Sequence, residues 1–221
     1  MLIACLIALG SGVVATVWAR WRGAMRLAGA LKVGCSLGFV ALACVRPWPD
    51  PGYAAWMVTG LCLSALGDGI LLVRRPRALV VGAVAFALAH VAYVVAWVQL
   101  LDVSPGVLGA ALGMLLGVIG VTYGTRERTG RMRWLVLGYG LVLGSSVVTA
   151  VALGLQAGGV LAGSLGVGAV LFLLSDLSVL RDRLLTPSLW NPTWGLPCYY
   201  AAQVCFALSV AQVSAQATLP L

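Results

Sequence analysis

The chain has 221 residues, 62% of them hydrophobic and only 9% charged, and its mean hydropathy is +1.04. A soluble domain carries about 25% charged residues, so this composition excludes a water-soluble fold. The net charge of +8 does not read as a nucleic-acid footprint, because the arginines sit in short clusters between apolar runs, where topology signals belong.

Crossing a bilayer takes about 20 apolar residues, and eight runs of that size follow one another. The first, 2–19, lacks a basic leader and is followed at once by Arg20 and Arg22, which reads as a retained helix rather than a cleaved signal peptide. The second, 27–45, contains Lys32. The third, 54–73, holds "LSALGDGILL" with Asp68 in its middle, and the fourth, 78–98, has His90 and Tyr93 one turn apart. In the fifth, 107–123, the spacing of Gly109, Gly113 and Gly117 predicts close packing against a neighbour. The sixth, 134–153, carries Ser145, Ser146 and Thr149, hydroxyls expected to bond backbone carbonyls one turn back. The seventh, 160–180, holds "LFLLSDLSVL" with Asp176. The eighth, 196–214, opens on Tyr199, Tyr200 and Gln203.

Short connections marked by Pro, Gly or Arg separate the runs, so residues 1–221 read as a single all-α polytopic membrane domain. Asp50, Asp102 and Asp182 fall in these connections as ordinary loop residues. The six cysteines form no CxxC pair and read as packing residues; no metal site or cofactor is expected.

Odd-numbered loops hold twelve arginines and even-numbered loops only Arg46. This places the odd loops in the cytoplasm and both termini outside, in a bacterial-type cytoplasmic membrane. An even helix count is required by that arrangement. "LSALGDGILLVRR" and "FLLSDLSVLRDR" occupy matching places four helices apart, which points to two parallel four-helix halves.

An ionisable group inside a bilayer costs at least about 2.5–3.5 kcal/mol and normally faces protein or water. Asp68, Asp176 and Lys32 each lie about four or five residues from a cytoplasmic helix end, some 6–8 Å deep at 1.5 Å per residue. Tyr199, Tyr200 and Gln203 fall at nearly that level, with His90 and Tyr93 deeper. Simpler roles compete at each position. Lys32 could snorkel to the interface, the tyrosines could belong to an aromatic belt, and His90 could be a hydrogen-bonded core residue. Either Asp could be a structural partner of Lys32 or a helix cap.

Taken in order and spacing, "LSALGDGILL", "FALAHVAYVVAW", "LFLLSDLSVL" and "YYAAQVCFAL" resemble the YhhN-like lysoplasmalogenase family of multipass membrane proteins, from Lys32 to Gln203. That family often has Pro after the Lys of its second helix, where Val33 stands here. The resemblance implies a lysophospholipid substrate drawn from membrane lipid and hydrolysis of the vinyl ether bond of lysoplasmalogens. The products would be a fatty aldehyde and glycerophosphoethanolamine or glycerophosphocholine. Carried over by position, the site would comprise Lys32, Asp68, His90, Tyr93, Asp176, Tyr199, Tyr200 and Gln203.

The chemistry suits the residues. A vinyl ether is stable to base and labile to acid, so its cleavage needs a proton donor, an anion beside the developing cation and a base for water. Two carboxylates with different proton affinities supply all three, as in glycoside hydrolysis. Asp68 and Asp176 are therefore the candidate acid and base, in either assignment. A transporter for lipids or small molecules would need a polar path across the membrane, and the outer halves of the runs are nearly devoid of polar groups. A non-catalytic lipid-binding protein would tolerate neutral replacement of both Asp residues. A serine hydrolase using Ser145 or Ser146 with His90 would lack both a GxSxG motif and an evident acid beside the serine.

Overall fold

A computed structural model describes residues 2–213. Residue 214, the last of the eighth predicted run, lies outside the described residues, as do the two chain ends. Every regular element among them is helical: α1 (Leu2–Trp21), α2 (Met25–Cys44), α3 (Pro51–Ile70), α4 (Pro76–Val98) and α5 (Pro105–Gly124) come first. The single turn α6 (Arg126–Thr129) leads into α7 (Arg133–Ala157). α8 (Gly159–Ala162) and α9 (Gly168–Leu180) form one segment with π turns at Gly163–Val167 and Arg181–Leu185, and α10 (Trp190–Ser209) follows.

Local chemistry sets the helix ends. Proline opens α3, α4 and α5, where its missing N–H would have had no helical partner anyway. Asp50 caps α3 by accepting from the Tyr53 N–H at 3.0 Å. α7 stops where Gly158 and Gly159 take φ of +66° and +58°, open to glycine at no steric cost.

The eight long helical segments coincide with the eight predicted runs, with shifted ends. Six of them are long and apolar enough to cross a membrane: α1, α2, α4, α5, the stretch from Arg126 to Ala157 and the stretch from Gly159 to Leu185. α3 and α10 are more polar because their inner faces carry Tyr53, Ser64 and Asp68, and Asn191 and Gln203. α10 begins at Trp190, with Pro197 inside it, rather than near residue 196. Gln203 therefore lies in its second half, level with Tyr93, and not at its start as the sequence suggests.

Within the first half α1 packs on α2, α2 on α3 and α3 on α4. In the second half α5 packs on α7, α7 on α9 and α9 on α10. The halves meet where α4 packs on α7 and where α10 packs on α2. The fourth long helix of each half thus lies against the second long helix of the other.

Small residues permit the closest approaches. A Cβ at Gly60 would overlap the Tyr93 ring and one at Gly67 the Phe86 ring, so α3 and α4 touch through them. Gly168 against Phe206 and Gly195 against Ser178 do the same for α9 and α10. Gly109, Gly113 and Gly117 do not: no neighbouring atom faces them, and α5 buries none of its residues. The contact with α5 is made instead by Gly140 and Gly144 of α7, which admit Val118 and Met114. The glycine spacing marks the correct helix pair from the wrong side.

The core centres on the fully buried Tyr93, Trp97, Phe172 and Phe206, while Ile3, Val14 and Leu108 face outward where lipid would lie. All six cysteines are free; Cys35 is buried as a packing residue is, whereas Cys44 and Cys62 face outward.

Candidate active site

α2 presents Lys32 and, one turn later, Ser36 to α3. Lys32 Nζ lies 2.8 Å from Asp68 Oδ1, and Ser36 Oγ donates to Asp68 Oδ2 at 2.6 Å. The Tyr199 hydroxyl of α10 donates to that same oxygen at 2.7 Å. Its neighbour Tyr200 donates to the Lys32 carbonyl at 2.8 Å. Burying a carboxylate costs several kcal/mol unless a counter-charge and donors surround it, and Asp68, 2% exposed, has both.

Behind Tyr199 runs a chain of hydrogen bonds into the core. Gln203 Nε2 donates to the Tyr199 hydroxyl at 3.0 Å, and Tyr93 donates to Gln203 Oε1 at 3.0 Å. Ser64 Oγ lies 3.3 Å from the Tyr93 hydroxyl. Four helices converge on Asp68 through this set.

Asp176, on α9, has a sparser shell. Tyr139 of α7 donates to its Oδ2 at 2.6 Å, and His90 Nε2 lies 4.0 Å from the same oxygen. His90 is fully buried, edge-on to Phe172 at 4.5 Å, with Nδ1 2.9 Å from Ser146 Oγ. Its Nε2 has no hydrogen-bond partner among the described residues. The two carboxylates occupy matching stations. Each projects from the third long helix of its half, between the second helix of that half and the fourth helix of the other.

Both carboxylates line one cavity of about 820 Å³, together with Lys32, Tyr139 and Tyr199. Phe86, Met114, Val118 and Leu143 make its apolar wall, and Arg20, Arg26, Arg74 and Arg183 complete its lining. Of the eight residues picked out in the sequence, Lys32, Asp68, Asp176 and Tyr199 face the cavity. Tyr200, Gln203, Tyr93 and His90 stand behind its wall and connect through hydrogen bonds to Lys32 and Tyr199, or through proximity to Asp176. Lys32 pairs with Asp68 rather than snorkelling, and Tyr199 and Tyr200 are buried rather than part of an interfacial belt.

Four features go beyond the sequence reading. Ser36 was legible as the residue one turn after Lys32. Tyr139 was legible only through the repeat: it precedes Asp176 by 37 residues, as Lys32 precedes Asp68 by 36. Ser146 bonds the Leu143 carbonyl at 2.8 Å, close to the expected backbone pairing, but it also meets His90, whose other nitrogen approaches Asp176. No acid contacts this serine among the described residues; Asp176 approaches it only through His90. Asp182 is likewise no idle loop residue: it sits in the last π turn and pairs with Arg74 at 3.0 Å.

The sequence profile of the YhhN family matches residues 27–210. Lysoplasmalogenase TMEM86A of Bos taurus is 32% identical over 168 residues, covering 72% of this chain and 66% of that protein. Lysoplasmalogenase TMEM86B of Sus scrofa is 34% identical over 169 residues, 73% of this chain and 66% of its own. Lysoplasmalogenase TMEM86B of Homo sapiens is 32% identical over 186 residues, with 81% and 72% covered. The chain therefore spans 66% of the length of the bovine and porcine relatives. No solved structure matches it. The profile match begins before Lys32 and ends after Gln203, so it takes in both carboxylates and every partner described for them: the chain belongs to the YhhN family.

Proposed function

We propose that this integral membrane protein hydrolyses the vinyl ether bond of a lysoplasmalogen, the activity its relatives' names carry. The observation that carries the reading is one cavity flanked by two carboxylates with unlike partners. Asp68 faces an ammonium and two hydroxyl donors. Asp176 has one hydroxyl donor, with His90 at 4.0 Å, and is 16% exposed where it lines the cavity. Asp176 is the acid and Asp68 the anion and base.

Asp176 delivers its proton to the alkene carbon remote from the ether oxygen, leaving an oxocarbenium ion beside the Asp68 charge. Asp68 takes a proton from water as the water oxygen adds to the carbon bonded to the ether oxygen. The hemiacetal then collapses. Asp68 returns its proton to the departing glycerol oxygen while Asp176 removes the hemiacetal hydroxyl proton. Aldehyde and glycerophospho product leave, one water has been consumed, and both carboxyl groups are back in their starting states.

In this reading α3 and α10 also cross the membrane, making eight spans. Both termini lie outside, and the cavity opens toward the cytoplasmic side, where the arginine-rich odd loops belong. Incubation of purified protein with a lysoplasmenyl lipid, followed by lipid mass spectrometry, tests the activity. Release of fatty aldehyde is expected, and an unchanged vinyl ether would remove the proposal.

The line Ser146–His90–Asp176 favours one rival, a serine esterase. Its order counts against it, since the acid faces the cavity while Ser146, 2% exposed, lies behind the wall. An ester lysophospholipid is expected to remain intact, and Ser146→Ala to keep vinyl ether turnover within about threefold. Ester cleavage abolished by Ser146→Ala, a loss of the order of 10⁶ for a true nucleophile, would establish the rival.

A further inference from the structure

Beyond the carboxylates, the same cavity gathers Arg20, Arg26, Arg74 and Arg183 from three separate parts of the chain. We infer that these arginines form a phosphate subsite that receives the headgroup of the lipid whose chain lies toward Asp68 and Asp176. Arg183 is fixed by its hydrogen bond to the Leu71 carbonyl at 2.6 Å. Arg74 pairs with Asp182 at 3.0 Å, and that carboxylate is 4.0 Å from Arg183 and accepts from the Ser188 N–H at 3.3 Å. Arg20 lines the same cavity, and its Nε is buried with no hydrogen-bond partner among the described residues. Arg74 and Arg183 thus share one carboxylate, and Arg20 and Arg26 line the same cavity with no carboxylate in salt-bridge contact among the described residues.

Bringing like charges together and leaving a guanidinium donor dry is costly unless an anion joins them. The planar donor fork of arginine fits phosphate oxygens two at a time. Placement agrees: Arg183 follows Asp176 by two helical turns, about 10 Å at 1.5 Å per residue, toward the end where a lysophospholipid would place its phosphate. Identification of the anion as a lipid headgroup rests on the proposed function; the affinity for phosphate does not.

The test is titration calorimetry on the full chain in neutral detergent micelles, with three probes. These are a saturated 1-O-alkyl lysophosphoethanolamine, which the acid mechanism cannot cleave, the 1-O-alkylglycerol of the same chain length, and inorganic phosphate. The phospholipid probe should bind at least about tenfold tighter than the alkylglycerol, the worth of one charge-assisted hydrogen bond. Arg20→Gln and Arg74→Gln should each shrink that preference, while alkylglycerol affinity stays within about twofold. Arg20→Lys, which keeps the charge, should restore part of the preference. Inorganic phosphate should compete with the phospholipid probe and not with the alkylglycerol.

Equal affinity of the wild-type chain for the two lipid probes, or a preference unchanged in both glutamine variants, would overturn the subsite. Binding of inorganic phosphate alone would overturn its assignment to a lipid. Should Arg20→Gln fail to fold, Arg74→Gln decides, because Arg74 is 53% exposed and bonds no backbone group. None of these readouts needs turnover. Arginine-dependent binding without cleavage of any vinyl ether keeps the subsite and removes the proposed activity, and the converse result does the opposite.

Discussion

Lys32 Nζ lies 2.8 Å from Asp68 Oδ1, an ion pair between α2 and α3 in which the carboxylate is almost wholly buried. Removing only the cation strands a charge in the core, which typically costs about 3–5 kcal/mol. Lys32→Met should therefore lower the thermal unfolding midpoint in detergent sharply. Lys32→Met combined with Asp68→Asn should be more stable than Lys32→Met alone, because no unpaired charge remains. A double variant no more stable than the single would show that the pair is not what holds these helices together.

The carboxylates carry the chemistry in this account. Asn nearly matches Asp in shape but neither donates an acidic proton nor carries charge. Asp68→Asn and Asp176→Asn should each cut kcat by about 10²-fold or more, with the protein still folded in the membrane fraction. Near-normal turnover by either variant takes that residue out of the mechanism.

Tyr139 should orient Asp176 without reacting. Loss of its hydroxyl in Tyr139→Phe removes one hydrogen bond to a carboxyl group, so kcat should fall about tenfold with KM little changed. A rise in KM at constant kcat would instead make Tyr139 a binding residue.

The arginine partition makes a topological prediction. Accessibility labelling of single-cysteine variants in a background without the six native cysteines should find residues 74–77 on the cytoplasmic face and the loop at residues 46–50 outside. The reverse labelling pattern would invert the orientation and move the cavity mouth to the outer face.

Much of this was legible because a membrane chain cannot hide charge. Asp68, Asp176 and Lys32 stand out in apolar runs, and the fold joins them in one cavity. What the sequence obscured is rotational: a helix face is set by packing, not by depth. His90, Tyr93 and Gln203 therefore read as candidates at the site but lie behind its wall. Tyr139, a lone tyrosine in an apolar run, gave no signal of its own until Asp176 was seen beside it. Helix glycines mislead for the same reason, since Gly109, Gly113 and Gly117 face away from the neighbour that Gly140 and Gly144 meet. The start of α10 was missed because "NPTWGLP" carries two prolines that break the apolar run without breaking the helix.

Turnover of a lysoplasmenyl lipid in heavy water tests the central claim most directly. Protonation of the alkene carbon by Asp176 places one solvent deuteron on the carbon beside the new carbonyl, fixed there if the aldehyde is trapped at once by reduction. In ¹⁸O-labelled water the glycerophospho product should stay unlabelled, because the glycerol oxygen leaves with its own electrons and only the chain carbon receives water. The saturated ether analogue, unable to form the cation by this route, should be inert. An aldehyde without the deuteron, solvent ¹⁸O in the glycerol product, or cleavage of the saturated ether at a comparable rate would contradict carbon protonation and the roles assigned to Asp68 and Asp176.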